Sequence, residues 1–406
     1  MTLFVTTLIA FPILTILLIF TLRRIVFLAA ILVSPKRSGG GTLTGEGDLP
    51  DVLVLASCRD EAGMIPDLAE SLRRMEYPQK KLQVVLIDDA STDGTAAAMR
   101  GQAEQAAGWN FFKLPNNLGK AAALNAALSR YPFGELIYIL DADHRPDPQA
   151  LIRLAHYFKD PQVAAVTGFT EIVNPISSPS AYYSTVESYV NQLVTIRAKD
   201  RLGLAPALLG SNCGYRRKIL MEHGGFRKGA FSEDSDLTVT FYKAGYKVRF
   251  AEDVVSRQQV PQTVRGYLKQ HIRWGRGLND VSKTHSLDIL RKRKFPFLLR
   301  LELLLFASGY LDRLALIGAG ILTVYSYLSG GPFRFYLDVI LVSLLTPFMQ
   351  IIGLFIRERM SAAMWLRLPL VPLFFALDIF AASRAMLDTV LDRSRSWGRT
   401  ERVESR

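Results

Sequence analysis

Residues 2–22, "TLFVTTLIAFPILTILLIFTL", carry no charge, and a helix of that length crosses a hydrocarbon core of about 30 Å. No ordinary soluble domain opens with such a segment. A cleaved signal peptide would have a basic stretch before its apolar run, whereas Arg23 and Arg24 come after it, so the segment reads as a retained anchor. Basic residues collect on the cytoplasmic side of short loops. Arg23, Arg24, Lys36 and Arg37 therefore predict that the chain continues in the cytoplasm.

The 406 residues are 49% hydrophobic and carry a net charge of +12, which suits several units with part of the chain in a membrane. Many basic residues flank apolar segments, as in "RKRK" at 291–294. Anionic lipid headgroups explain them more simply than nucleic acid does. With only Cys58 and Cys213, no disulfide framework is expected.

The chain divides by composition into an N-terminal transmembrane anchor (1–37), a Gly-rich polar linker (38–50) and a domain over 51–260. An amphipathic interfacial segment (261–297), a C-terminal transmembrane block (298–391) and a basic tail (392–406) follow. Within 51–260, "VLVLASC" (52–58), "LQVVLID" (82–88), "FFKL" (111–114) and "ELIYILD" (135–141) alternate with Ala-rich helical stretches. Apolar strands alternating with helices predict an α/β domain built on a parallel sheet. In the terminal block, 314–333 and 339–356 are uncharged and long enough to span. The stretch 368–391 holds Asp378, Arg384 and Asp388 and either spans or re-enters; which it does sets the side of the tail.

Ligands of such sheets bind at the carboxyl ends of the strands. "VVLIDDASTDGT" puts Asp88 and Asp89 at one strand end, and "LIYILDADHRP" puts Asp141 and Asp143 at another. A D-x-D pair at that rim suits Mg²⁺ or Mn²⁺, which prefer oxygen ligands and keep positions open for phosphates; the same acids also favour turns and helix caps. "NNLGKAAALNAAL" sets Lys120 at a helix start, where an anion is welcome. "FSEDSDLT" concentrates Glu233, Asp234 and Asp236, and clustered acids raise one another's pKa. In "YLKQHIRWGRG", Gln270 and Arg273 share a helix face, with Trp274 one turn after Gln270.

The ordered set Asp88-Asp89, Asp141-x-Asp143, Glu233-Asp234 and Gln270-x-x-Arg273-Trp274 resembles the family 2 glycosyltransferases. The likeness is to the membrane-embedded synthases of chitin oligosaccharide, poly-N-acetylglucosamine, hyaluronan and cellulose. It implies a type A glycosyltransferase fold between transmembrane helices, and an inverting enzyme that adds sugar from a nucleotide-diphospho-sugar, in the first instance a UDP-sugar, to a β-linked glycan. It also fits single addition to a lipid of the ceramide or diacylglycerol type. Asp234 is then the catalytic base, although Ser232 replaces the usual Thr or Gly before Glu233-Asp234. Asp88, Asp89, Lys120, Asp141, Gln270 and Arg273 bind the donor, and Asp141 and Asp143 hold Mg²⁺ or Mn²⁺. Trp274, Glu233 and Cys213 meet the acceptor, Cys213 being equally readable as a small buried hydrophobe. The resemblance implies a multi-pass protein of the cell membrane with its catalytic domain in the cytoplasm.

Overall fold

The computed structural model describes residues 2–33, 49–292 and 295–391, with side chains from Leu8 onward. The described residues form two compact units: residues 49–174 with 205–260, and residues 2–33, 175–204, 261–292 and 295–391. Residues 175–204 thus leave the range 51–260 that the sequence assigns to one domain and group with the terminal helices.

The first unit holds an eight-stranded sheet. Its strands are β1 (Val52–Cys58), β2 (Leu82–Asp88), β3 (Trp109–Lys113), β4 (Leu136–Leu140), β5 (Arg145–Pro146), β6 (Val163–Ile172), β7 (Cys213–Arg216) and β8 (Lys247–Gln258), in the order β3-β2-β1-β4-β7-β6-β8-β5. The strands β1 to β4 are parallel, as expected. Val52, Val54, Ala56 and Cys58 of β1 alternate into a core with Leu68 and Leu72 of helix Ile65–Arg73 and with Leu151 and Leu154 of helix Ala150–Tyr157. Burying each larger side chain contributes about 1.5–3 kcal/mol. Leu53 and Leu55 are buried on the opposite face, which is why β1 reads as an unbroken apolar run.

Beyond β4 the sheet is mixed: β7 is antiparallel to both β4 and β6, and β5 is antiparallel to β8. The reversal has a consequence for the rim. An antiparallel β7 begins where β4 ends, with Ile139 opposite Cys213, so the turn before β7 lies at the carboxyl ends of the parallel strands.

The second unit is helical. Four of its helical segments, Leu8–Val33, Leu311–Leu328, Phe333–Arg357 and Ala362–Val390, are long and apolar enough to cross a membrane. Arg23 and Arg24, read from sequence as charges flanking the anchor, lie inside the helix Thr2–Val33. Arg23 forms a paired contact with Glu302 (2.8 and 2.7 Å), which also accepts Lys199 (2.8 Å). Arg24 pairs with Asp312, itself paired with Arg313, and Arg313 pairs with Asp378. Charges buried among apolar helices are thereby matched. Asp338, near the start of helix Phe333–Arg357, is exposed. The tail 392–406, the linker residues 38–48 and the last two positions of "RKRK" lie outside the described residues.

Candidate active site

Strand β2 ends on Asp88, which pairs in register with Cys58 at the end of β1. Asp88 is fully buried, and its Oδ1 accepts the Ser91 N–H at 3.1 Å. Its Oδ2 has no hydrogen-bond partner among the described residues. A buried carboxylate oxygen left so is costly unless a ligand donates to it. Asp89 is differently employed: its Oδ1 accepts from Leu118 N–H at 2.8 Å and its Oδ2 from Gly119 N–H at 2.9 Å. It pins the loop that opens helix Lys120–Arg130.

That loop delivers Lys120, whose Nζ donates to Asp141 Oδ1 at 2.6 Å and to the Gly210 carbonyl at 2.8 Å, and lies 3.5 Å from Glu233 Oε1. The ammonium predicted to meet an anion at a helix start thus meets carboxylates of this chain. Burial disfavours its charge, but the attraction of Asp141 and Glu233 outweighs burial and raises the Lys120 pKa. Burial pushes the Glu233 carboxyl up; Lys120 opposes that shift and Asp234 reinforces it.

Asp234 sits in the first turn of helix Glu233–Ala244, where the exposed N–H groups favour an acid. Its Oδ1 accepts from Ser232 Oγ at 2.6 Å and from Ser235 N–H at 2.7 Å. Its Oδ2 faces the turn before β7. Gly210 has φ +79°, and a Cβ there would lie 2.9 Å from Asp234 Oδ2, so only glycine brings the backbone this close. The next Asp, Asp236, is tied to Arg227 at 2.7 Å.

The turn itself is fixed from beneath. Asn212 takes φ +52°, a left-handed conformation that Asn tolerates. Its side chain is fully engaged: Oδ1 accepts from Tyr138 at 2.6 Å, and Nδ2 donates to the carbonyls of Phe169 and Val254 at 3.0 Å each. Ser211 Oγ accepts the Asp141 N–H at 2.8 Å, which joins the turn to the end of β4.

Asp141 follows β4 directly, and Asp143 and His144 follow in a buried turn before β5. The ligand atoms of Asp141, Asp143 and His144 all lie within 4.8 Å of one another, a donor set that fits a divalent cation such as Mn²⁺ or Mg²⁺. His144, whose Nδ1 lies 3.1 Å from Ser256 Oγ, was missed in the sequence; its place right after the D-x-D was the available signal. Cys213 is fully buried on β7, its thiol set against Thr167 Oγ1 at 3.4 Å and the Ser211 carbonyl at 3.2 Å, and burial raises its pKa to about 11. These are the surroundings of a small core side chain, the other reading that the sequence allows for Cys213.

The rim of this unit therefore gathers Asp88, Asp89, Lys120, Asp141, Asp143, Glu233 and Asp234. Gln270, Arg273 and Trp274 lie on helix Val264–Arg291 of the helical unit. There Gln270 is buried, while Trp274 is 45% exposed.

A family model described as glycosyltransferase like family 2 matches residues 50–277. A probable glycosyltransferase YdaM of Bacillus subtilis is 27% identical over 57% of this chain and 56% of its own length. An N-acetylglucosaminyltransferase of Mesorhizobium japonicum is 30% identical over 63% and 65%. A poly-beta-1,6-N-acetyl-D-glucosamine synthase of Staphylococcus aureus is 26% identical over 61% and 60%. The chain thus spans between 56% and 65% of the length of these curated relatives. Among solved structures, a mannosyltransferase of Pyrobaculum calidifontis, in complex with GDP-Man and Mn²⁺, superposes with a TM-score of 0.66 at 22% identity, over 96% of this chain and all of that one. The fold is that of the type A glycosyltransferases.

Proposed function

The chain belongs to glycosyltransferase-like family 2, and from that premise we propose that it transfers N-acetylglucosamine from a UDP-sugar donor to a growing β-linked glycan at a membrane. The sugar is taken from relatives named N-acetylglucosaminyltransferase and poly-beta-1,6-N-acetyl-D-glucosamine synthase. The observation that carries the reading is the placement of Lys120 between Asp141 and Glu233, on the same Gly210 turn against which Asp234 packs. One residue thereby links the acids assigned to the donor diphosphate with those assigned to the acceptor.

In this reading the acceptor hydroxyl attacks the anomeric carbon as the bond to the diphosphate breaks, and its proton passes to Asp234. The base is Oδ2, because Ser232 and Ser235 already occupy Oδ1. Asp236 is held by Arg227 and Glu233 by Lys120, which leaves neither as well placed. Asp88 offers its unpartnered oxygen to the nucleoside, and Asp89 acts by holding the Lys120 loop in place. Asp141 and Asp143, with His144, would hold Mg²⁺ or Mn²⁺, which offsets the charge on the departing diphosphate. By resemblance to the family, Gln270 and Arg273 are assigned to the donor and Trp274 to the acceptor, its flat face suiting a sugar ring. The reaction inverts the anomeric centre in one displacement. The α/β unit then works on the cytoplasmic side, where nucleotide sugars are made.

The test is to incubate the detergent-purified chain with a panel of nucleotide sugars and to identify the product by mass spectrometry. A ladder of N-acetylhexosamine units from the UDP donor is expected. One sugar on an extractable lipid, never two, would replace the glycan reading with the lipid one.

A further inference from the structure

His271 stands inside the Gln270-x-x-Arg273-Trp274 stretch of helix Val264–Arg291 and is 1% exposed. Its Nδ1 lies 2.9 Å from the Tyr267 carbonyl and its Nε2 lies 2.6 Å from Glu187 Oε2, on helix Pro179–Tyr189. A carbonyl only accepts, so Nδ1 carries a hydrogen and donates it. The short contact of Nε2 with the Glu187 carboxyl then requires a second proton between them; burial pushes that carboxyl up, but His271 outweighs burial and holds it below its ordinary range, which leaves the proton on the imidazole. Asp378, on helix Val371–Val390, closes the group: its carboxylate lies within 4.8 Å of the His271 and Glu187 ligand atoms. Its Oδ2 accepts from Arg313 Nε at 2.9 Å and Nη2 at 2.8 Å. Its Oδ1 is buried and has no hydrogen-bond partner among the described residues.

Arg313 also pairs with Asp312, which pairs with Arg24, so three acids, Glu187, Asp378 and Asp312, face three cations, His271, Arg313 and Arg24, and the group balances without an added metal ion. With all three acids ionised it balances only while His271 is protonated; a neutral imidazole would leave three buried carboxylates with two guanidinium groups. Tyr183, Tyr267 and Tyr310 are the other titratable groups around it, and burial pushes the phenols of Tyr183 and Tyr310 well above their ordinary range, so they stay neutral. The helix bearing Glu187 is itself anchored. It runs through a π-helical turn, Val190–Ile196, to Arg197, which pairs with Glu358 at 2.6 Å, and to Lys199, which pairs with Glu302.

We infer that protonated His271 is a positioning residue, which fixes the Gln270, Arg273 and Trp274 helix by joining it to Glu187 and Asp378. The inference rests on the reading above that this helix serves the donor and acceptor. Burial opposes the His271 charge, but Glu187 outweighs burial and raises the pKa above 6.5. The lock is therefore closed below that raised value and opens as the pH rises through it.

Trp274 supplies a probe independent of turnover, its ring standing edge-on to His271 with centroids 4.9 Å apart. An imidazolium quenches a neighbouring indole. In the full chain carrying Trp109→Phe, Trp365→Phe and Trp397→Phe, emission should rise with pH at a midpoint above 6.5, and Glu187→Gln should lower that midpoint by about one unit or more. A midpoint at or below 6.5, or one that Glu187→Gln leaves in place, overturns the inference. In parallel, kcat should fall on the alkaline side at the same midpoint, and His271→Gln should abolish that limb and lower kcat about tenfold. Titration by fluorescence without an alkaline limb also overturns it. Near-normal turnover in Gln270→Ala and Trp274→Ala would instead sink the reading of the helix and leave the fluorescence result standing.

Discussion

The two units handle buried charge in opposite ways. In the helical unit acids meet cations in closed sets: Glu302 with Arg23 and Lys199, Asp312 with Arg24 and Arg313, Asp378 with Arg313, Glu187 with His271. At the sheet rim Lys120 meets Asp141 and Glu233, Asp143 lies beside Asp141, Asp234 packs on the Gly210 turn, and Asp88 keeps a buried oxygen without a hydrogen-bond partner among the described residues. A closed set is complete in the folded chain and serves position. A rim with surplus acid is complete only when a cation and a proton donor arrive, which is what a divalent ion, a nucleotide and an acceptor hydroxyl provide.

Breaking a closed set should have the largest effect on stability. Glu302→Gln leaves Arg23 and Lys199 facing each other, and removing one partner of such a buried pair costs about 3–5 kcal/mol, read as a lowered midpoint of thermal unfolding in detergent. The same residue predicts an acid limit. Burial opposes the charge of Glu302, yet Lys199 and Arg23 outweigh it and hold the pKa at about 2, below the ordinary 4.5. Its contribution is therefore complete above pH 4.5 and is lost as the pH falls towards 2. A thermal midpoint that does not fall in that window, or that falls equally in Glu302→Gln, would separate Glu302 from acid unfolding.

Breaking the rim should spare the fold and stop the chemistry. Asp234→Asn should still bind nucleoside diphosphate while transferring sugar about 10²-fold more slowly, or slower still, which corresponds to about 2.7 kcal/mol in the barrier. Turnover near that of the unaltered chain would move the base to Glu233 or Asp236. The smallest effect is expected where a pair belongs to neither class. Arg384 is half-exposed and pairs with Asp388 one turn on, so Arg384→Ala should shift stability by no more than about 0.5 kcal/mol, by the same unfolding measurement.

The sequence showed one class of charge better than the other. Strands β1 and β2 were legible to the residue, because both are buried on both faces and read as unbroken apolar runs, and their ends gave the position of Asp88; β4 likewise gave Asp141. The short strand β7 was not legible, since only four residues form it and its antiparallel course depends on β4 and β6. With it went the reason that Gly210 and Asn212 face the acids. Asp88 and Asp89 look alike in sequence, where nothing shows that the backbone donors Asp89 caps belong to a loop nearly thirty residues on. The closed sets were hidden for the same reason. His271 and Glu187 are 84 positions apart, and no local pattern marks them as partners.

The surplus of acid at the rim is tested most directly by Mn²⁺ binding, followed through loss of the free-ion electron paramagnetic resonance signal on titration with the purified chain, with and without UDP. Binding is expected to tighten when UDP is present, to be lost in Asp143→Asn, and to survive in Glu302→Gln at a temperature where that variant remains folded. Equal Mn²⁺ binding by the unaltered chain and by Asp143→Asn, or none by either with UDP in excess, would contradict the assignment of the rim to a cation-bound diphosphate.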